Sequence, residues 1–196
     1  MTRQQGDSSG DIAVIGMAGL FPNAADVHAY WHNIVRGVVS IREVPHDRWD
    51  WRQYYNPDPR GADKISSKWG AFLPEVFLDP LYYGIPPNSL NYIETAQLLT
   101  LESTRLALDD AGYLDREFDR SRTSVFIGTG AGEGDLGQHY SFRSLLPRFF
   151  GQSAQQMLSG LDSDVPEWSP DTFTGIIMNI TAGRVADRFN LGGSNF

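Results

Sequence analysis

The 196-residue sequence contains no cysteine. A chain without cysteine forms no disulfide bond and no thiolate metal site. Positive charge is also scarce, because 16 Lys and Arg residues are outnumbered by 24 Asp and Glu residues, giving a net charge of −8. An acidic surface repels the phosphate backbone of nucleic acids and the headgroups of anionic lipids. The composition therefore predicts that neither nucleic acid nor a membrane is a partner.

Long apolar runs are missing as well. No stretch of the sequence approaches the ~18 consecutive apolar residues that a membrane-spanning helix requires. Residues 1–10 are polar and lack the apolar centre of a secretory signal. We therefore expect a cytoplasmic protein. The glycosylation sequon at residues 179–181 (NIT) lies in a predicted helix of a chain with no export signal, and we interpret it as a chance match.

Two short apolar runs predict a sheet. Residues 11–19 (DIAVIGMAG) and 124–130 (SVFIGTG) are nearly continuous and closed by glycine, which is typical of strands buried on both faces. We expect them to be neighbouring parallel strands of one layer. A parallel sheet needs cover on both faces and partners along its edges, so we also expect the isolated chain to be marginally stable or to aggregate. Residues 1–10, rich in Gln, Ser and Gly, predict a flexible tail.

Helical signals occupy much of the remaining chain. The predicted helices are residues 26–36, ending at Gly37; 88–111, capped by Asn88 and ending at Gly112; 142–158; and from about Asp171 to Leu191 and Gly192. Residues 38–87 are rich in proline and aromatic residues, and we expect a long, ordered cover loop in which residues 68–73 form part of a hairpin. Residues 194–196 would open a buried strand. The pattern predicts an α/β fold with an incomplete layered sheet and helices.

A glycine-rich run suggests a nucleotide site but fails the test for one. Residues 128–134 (GTGAGEG) follow a predicted strand, yet Glu133 stands where the third glycine of G-x-G-x-x-G would fall, or Asp135 if the motif is counted from Gly130. A carboxylate at either place would repel a pyrophosphate. The run is interpreted as a tight turn after a strand.

Other short motifs are equally weak. His28 and His32 have the i, i+4 spacing of a metal pair, but Ala29 stands where a metalloprotease would place its glutamate and the sequence suggests no third ligand. Residues 192–196 (GGSNF) lack the second glycine of a G-x-S-x-G nucleophile elbow. His46 and His139 have no partner that the sequence can name.

A chain-long resemblance carries more information than these motifs. The matching segments include residues 11–22 (DIAVIGMAGLFP), 44–50 (VPHDRWD), 67–73 (SKWGAFL), 107–113 (ALDDAGY) and 179–196 (NITAGRVADRFNLGGSNF). In this order they resemble the β-ketoacyl synthase family, most closely the ketosynthase domains of type I polyketide synthases and of polyunsaturated fatty acid or enediyne-type synthases. Residues 92–97 (YIETAQ) stand where many members read M-D-P-Q-x-R, which favours the polyunsaturated or enediyne-like branch.

The resemblance implies the N-terminal part of a thiolase-like fold that works as a homodimer. In the family, a cysteine at a helix N-terminus takes an acyl group from an acyl carrier protein, and two histidines support decarboxylation of a malonyl unit. All three side chains follow the segment that the present sequence matches. We therefore expect residues 11–196 to form a β-ketoacyl synthase N-terminal domain that is truncated before the nucleophile turn and inactive alone.

No residue of the sequence is assigned a catalytic, cofactor-binding or metal-binding role on this basis. Phosphopantetheine is expected only on the partner acyl carrier protein. Two hypotheses remain open: the chain is the N-terminal segment of a condensing enzyme, or it is a non-catalytic module for dimerisation or carrier docking in a synthase complex.

Overall fold

A computed structural model describes residues 10–130, 134–161 and 167–196. The chain divides into two compact units, one formed by Met17–Val76 and the other by the residues up to Gly16 together with Phe77–Phe196. The predicted tail at residues 1–10 lies outside the described residues except for Gly10, which is exposed. Among the helices of the described ranges, none combines the length and apolar character that crossing a bilayer requires.

In the unit Met17–Val76, helix α1 spans Val27–Val35 as the sequence predicts. The side chain of Asp26 caps its first turn by accepting a hydrogen bond from the Ala29 N–H at 2.7 Å. Gly37 ends the helix with a φ of +64°. Its N–H and that of the next residue donate to carbonyls of the last turn, which is the Schellman arrangement that favours glycine.

The predicted hairpin is partly right. Strand β2 (Trp69–Gly70) lies in the expected segment, but it pairs antiparallel with β1 (Arg42–Glu43), well upstream, rather than with its neighbours. Lys68 secures this pair because its ammonium forms an ion pair with Glu43 and lies 4.5 Å from the centroid of the Trp51 ring. The aromatic region is therefore ordered by contacts among its own residues, as cation–π and ion pairs allow.

In the unit completed by Phe77–Phe196, the described residues form five α-helices. They are α2 (Thr95–Asp110), α3 (Asp135–Phe150), α4 (Ala154–Leu161), α5 (Pro170–Ile176) and α6 (Ile180–Arg188). Helices α2 and α6 pack against each other. The buried core consists of Tyr83, Ile85, Ile93, Leu101, Val125, Ala182, Val185, Ala186, Phe189 and Leu191.

The predicted helix 88–111 is two elements. A 3₁₀ turn at Pro87–Tyr92 precedes α2, and Asn88 therefore does not cap the α-helix. Ile93 breaks the helical path because it is extended, with φ −115° and ψ 127°, and its side chain is buried in the core. The predicted end is correct: Gly112 has a φ of +69° and closes a second Schellman arrangement.

Two further segments that were each predicted as one helix form two helices in the structure. The segment predicted as 142–158 holds the second half of α3 and the first part of α4, and Gly151 with a φ of +54° lies between the two helices. The last predicted helix is α5 and α6, divided where Ile177 is extended. Helix α6 is stopped by Asn190, whose φ is +52°, rather than by Gly192. Asparagine tolerates this left-handed conformation better than other residues with a side chain.

The expectation that residues 11–19 and 124–130 are neighbouring parallel strands is wrong. Residues 11–16 form no strand, and Ile12 is 94% exposed. Residues 125–127 pair in parallel with residues 194–196 instead. The hydrogen-bonding groups of Val125 point to that partner, whereas Gly16 lies against the C-terminal half of α2, where a Cβ would come within 2.5 Å of the Ala107 carbonyl oxygen.

Candidate functional site

The parallel pairing of residues 125–127 with residues 194–196 is the centre of the candidate site, and we call it the strand pair. The Val125 N–H donates to the Ser194 carbonyl at 2.8 Å, and the Phe196 N–H donates to the Val125 carbonyl at 3.0 Å. The Ile127 N–H donates to the Phe196 carbonyl at 2.9 Å. Because the two segments run in the same direction, both end at the same edge. In α/β folds, ligands and reactive groups gather at that carboxyl edge.

Backbone contacts fix the register of the strand pair. The Gly192 N–H donates to the Arg120 carbonyl at 2.7 Å and the Gly193 N–H to the Thr123 carbonyl at 3.0 Å. The Arg120 guanidinium also donates to the Phe189 carbonyl, at 2.7 Å. A Cβ at Gly193 would lie 2.6 Å from the Thr123 carbonyl group. The two chain segments approach too closely here for any residue but glycine.

Glu94 caps α3 at the far end of the glycine-rich run. Glu94 is only 4% exposed, and its carboxylate accepts a hydrogen bond from the Gly137 N–H at 2.8 Å. A Cβ on Gly134 would lie 2.3 Å from the Glu94 side chain. A carboxylate therefore occupies the place at the N-terminus of α3 where an anionic ligand would bind. Residues 131–133 of the candidate nucleotide loop 128–134 lie outside the described residues.

A second polar cluster joins Tyr83, Glu102 and Arg105. The Tyr83 hydroxyl donates to one Glu102 oxygen, and Arg105 Nη2 donates to the other at 2.6 Å. The Arg105 hydrogen bond holds the pKa of Glu102 below its usual value, while burial followed by the Glu102 hydrogen bond raises the pKa of Tyr83 well above 10. These groups stabilise one another's normal charge states, so the cluster has the features of a structural anchor.

This cluster makes stability depend on pH in a way that Tyr83→Phe tests. A raised tyrosine pKa contributes stability that is complete below the unfolded value of 10.0 and is lost as the pH rises above it. We expect the wild type to lose stability between neutral pH and pH ~10.5 by more than Tyr83→Phe does. At neutral pH the variant should be about 1 to 2 kcal/mol less stable, because a hydrogen bond to a charged group is lost.

Urea unfolding followed by circular dichroism at both pH values measures the two effects. Tyr54→Phe, at an exposed tyrosine of the other unit, is the matched control and should leave both values unchanged. Equal pH dependence in the wild type and Tyr83→Phe would contradict the assignment.

The four histidines singled out in the sequence are all exposed. His28 and His32 are exposed on α1, and His139 is exposed on α3. His46 is exposed too, with its Nε2 3.9 Å from an Asp50 carboxylate oxygen. Within the ranges described, no group of three or more His, Cys, Asp and Glu residues could hold a metal ion.

The GGSNF segment, residues 192–196, is not a strand–turn–helix elbow, since its serine lies in the strand pair. Sequence reasoning missed the buried polar residues Glu94 and Gln97, and the half-buried Arg184 that donates to Gln97. The signal for the first two was available, because polar residues at i, i+3 in a largely apolar helical stretch face the interior.

Comparison with known proteins confirms the family. The family model described as "Beta-ketoacyl synthase, N-terminal domain" matches residues 9–196. Polyketide synthase PksN of Bacillus subtilis (strain 168) is 43% identical over 120 residues, which cover 61% of this chain and 2% of that protein. One of the polyunsaturated fatty acid synthase subunits of Thraustochytrium sp. is 29% identical over 201 residues, covering 98% of this chain and 7% of that protein.

Solved structures of ketosynthase domains resemble this chain in fold. The oxazolomycin ketosynthase domain OzmH KS7 of Streptomyces albus JA3453 superposes with a TM-score of 0.67 at 28% identity, covering 93% of this chain and 28% of that domain's chain. The present sequence thus spans a small fraction of the length of the proteins it matches. The fold class predicted from the sequence, α/β and thiolase-like, is confirmed. The chain belongs to the β-ketoacyl synthase N-terminal domain family.

Proposed function

We propose that this chain is the N-terminal segment of a β-ketoacyl synthase that condenses acyl thioesters with malonyl units in polyketide or fatty acid biosynthesis. The observation that carries the proposal is the strand pair, with its register set by Gly192 and Gly193. The family match over residues 9–196 supports it, as does the likeness to ketosynthase domains.

The proposed reaction needs groups that this sequence does not supply. A cysteine thiolate takes the acyl group from the phosphopantetheine thiol of an acyl carrier protein and releases that thiol. Loss of carbon dioxide from a malonyl thioester then leaves a carbanion, which attacks the acyl thioester, forms the carbon–carbon bond and returns the thiolate. Because the sequence has no cysteine, the proposal places the nucleophile elsewhere in the complete enzyme and assigns no catalytic side chain to residues 1–196.

The role proposed for this segment is to support that chemistry. The strand pair presents its carboxyl edge, and in the same unit the Glu94 carboxylate accepts a hydrogen bond from the Gly137 N–H in the first turn of α3. The partners we propose are the remainder of the ketosynthase, a second copy in a homodimer, and acyl carrier proteins bearing phosphopantetheine. The proposed location is the cytoplasm, and no cofactor is assigned to the chain itself.

The coding sequence downstream of Phe196 tests the proposal. We expect an open reading frame that encodes a cysteine within a short distance and two histidine-containing segments further on. A stop codon directly after Phe196 would contradict the proposal and would favour the alternative, a non-catalytic module that docks to a complete synthase or to a carrier protein.

A further inference from the structure

We propose that Gln97 is a positioning residue: it fixes the bend between α5 and α6 and, through Arg184, holds α6 in the position from which Gly192 and Gly193 reach the strand pair. Only one consequence of this proposal rests on the proposed function: that the residues following Phe196 are placed correctly for catalysis. Its physical content concerns residues of this chain alone.

Gln97 lies in the first turn of α2 and is fully buried, at 0% exposure. Its Nε2 lies within hydrogen-bonding distance of the carbonyls of Thr174 (3.3 Å), Gly175 (2.7 Å) and Ile177 (3.1 Å). Its Oε1 accepts a hydrogen bond from Arg184 Nε at 3.0 Å. One side chain therefore links three helices, α2, α5 and α6.

The end of α5 needs such a donor. The last carbonyls of a helix have no partner within the helix, and the extended conformation of Ile177 prevents α6 from continuing the ladder. The Glu94 N–H satisfies the Gly175 carbonyl in part, at 3.0 Å. The Gln97 amide group supplies the remaining donors in a place that water cannot reach. A glutamate here would bring oxygen atoms towards carbonyl oxygens, and a methionine would bring no donor.

Arg184 connects Gln97 to α6 through its hydrogen bond to Gln97 Oε1. Burial lowers the pKa of its guanidinium, although Asp187 opposes the shift, so the charged group depends on its hydrogen bond to Gln97 for part of its stabilisation. On the same helix, Val185 and Ala186 are buried in the core. The position of α6 along its axis is thus fixed on both a polar and an apolar face.

Little chain separates α6 from the strand pair. Helix α6 ends at the left-handed Asn190, and the Leu191 N–H closes its last turn by donating to the Ala186 carbonyl at 2.8 Å. Gly192 and Gly193 then bind residues 120–123 through backbone hydrogen bonds. A shift of α6 by a fraction of a turn would move residues 194–196 relative to residues 125–127, because no flexible segment lies between them to absorb it.

A purely structural role makes a different prediction from a positioning role. If Gln97 only stabilises the unit, its loss should weaken every protected amide of that unit alike. If it positions α6, its loss should affect the strand pair most, while the interior of α2 stays protected. Amide hydrogen exchange distinguishes these outcomes residue by residue.

The test uses the 196-residue chain and the substitution Gln97→Met, which keeps the side chain's length and removes its polar atoms. We expect the Val125, Ile127 and Phe196 amides to exchange at least tenfold faster than in the wild type. The Leu101 amide, inside α2, should change less than twofold. Gln155→Met, at an exposed glutamine on α4, is the matched control and should change none of them.

Arg184→Met is a second variant in case Gln97→Met does not fold. It cuts the connection to α6 while leaving the α5 carbonyls bound to Gln97, and we expect the same selective loss at the strand pair. Equal acceleration at Leu101 and at the strand pair, no acceleration at all, or failure of both variants to fold would overturn the proposal and assign Gln97 to global stability. Because the readout is amide exchange and not condensation, its failure would leave the proposed function standing, and a stop codon after Phe196 would leave the exchange result standing.

Discussion

Gly175→Ala is expected to destabilise the unit that contains α2 and α6 by about 3 kcal/mol or more, at the upper end of the effects of overpacking. Gly175 lies in α5 directly against the end of the 3₁₀ turn at Pro87–Tyr92, and a Cβ there would lie 1.5 Å from the Tyr92 carbonyl oxygen. The obstacle is backbone, so no rotamer change can relieve it. The carbonyl group of Gly175 itself accepts two hydrogen bonds, one from the Glu94 N–H and one from Gln97 Nε2, and a shift of α5 would break both.

Urea unfolding of the purified variant measures this loss. Gly160→Ala is the matched control, because Gly160 lies in α4 and no atom of the described residues comes within 4 Å of the position of its Cβ. In an open helical position alanine is favoured over glycine, so the control should be unchanged or more stable by about 0.5 to 1 kcal/mol. A Gly175→Ala variant as stable as the wild type would show that α5 does not contact α2 as described.

Several apolar side chains of this unit are exposed and could cause aggregation during the urea unfolding experiments. Ile12 and Val14 are 94% and 78% exposed, and Phe126 and Phe196 stack on each other in the open, with ring centroids 5.6 Å apart. Exposed apolar side chains such as these raise the risk of aggregation when they form a patch. The expectation that the isolated chain is marginally stable, which rests on the uncovered faces and edges of an incomplete sheet, stays a prediction, and low protein concentration is advisable for every unfolding experiment.

Local signals in the sequence were enough to predict local structure. Asp26 and Gly37 delimit α1 because a capping side chain and a left-handed glycine act within one turn of the helix they end. Gly112 ends α2 for the same reason. The family resemblance, which depends on many short segments in order, predicted the fold class correctly.

Long-range contacts explain most of the errors. The break at Ile93 depends on the Glu94 N–H pairing with Gly175, and the two are far apart in the sequence. Residues 11–16 read as a buried strand because a run of apolar residues does not reveal whether a partner is available to it. Among the described residues no strand pairs with this run, and residues 11–15 are exposed.

The candidate site was predictable only in part. That residues 194–196 open a strand was expected from the sequence, and their parallel pairing with residues 125–127 agrees with this. The expectation that this strand is buried is wrong for the chain described, because Phe196 is 71% exposed. The role of Gln97 was not foreseen, because its partners at the end of α5 become neighbours only through the bend at Ile177. Asn190 was missed because a glycine pair two residues later gave the stronger stop signal.

We expect the 196-residue chain alone to have no condensing activity at all. The proposed mechanism begins with transfer of an acyl group to a cysteine, and the 196-residue sequence has none. The acidic side chains and exposed histidines of the described residues offer no equivalent nucleophile positioned by a base. The chain alone should therefore give no condensation above the rate seen without protein, whatever the acyl group offered.

The most direct test of the account is formation of a β-ketoacyl thioester from an acyl-loaded and a malonyl-loaded carrier protein, followed by mass spectrometry of the carrier. We expect product from a polypeptide in which this chain continues into the downstream residues, and none when the cysteine of that polypeptide is replaced by alanine. The 196-residue chain alone should give no product. Product from this chain by itself, or its persistence after the cysteine is removed, would contradict the account.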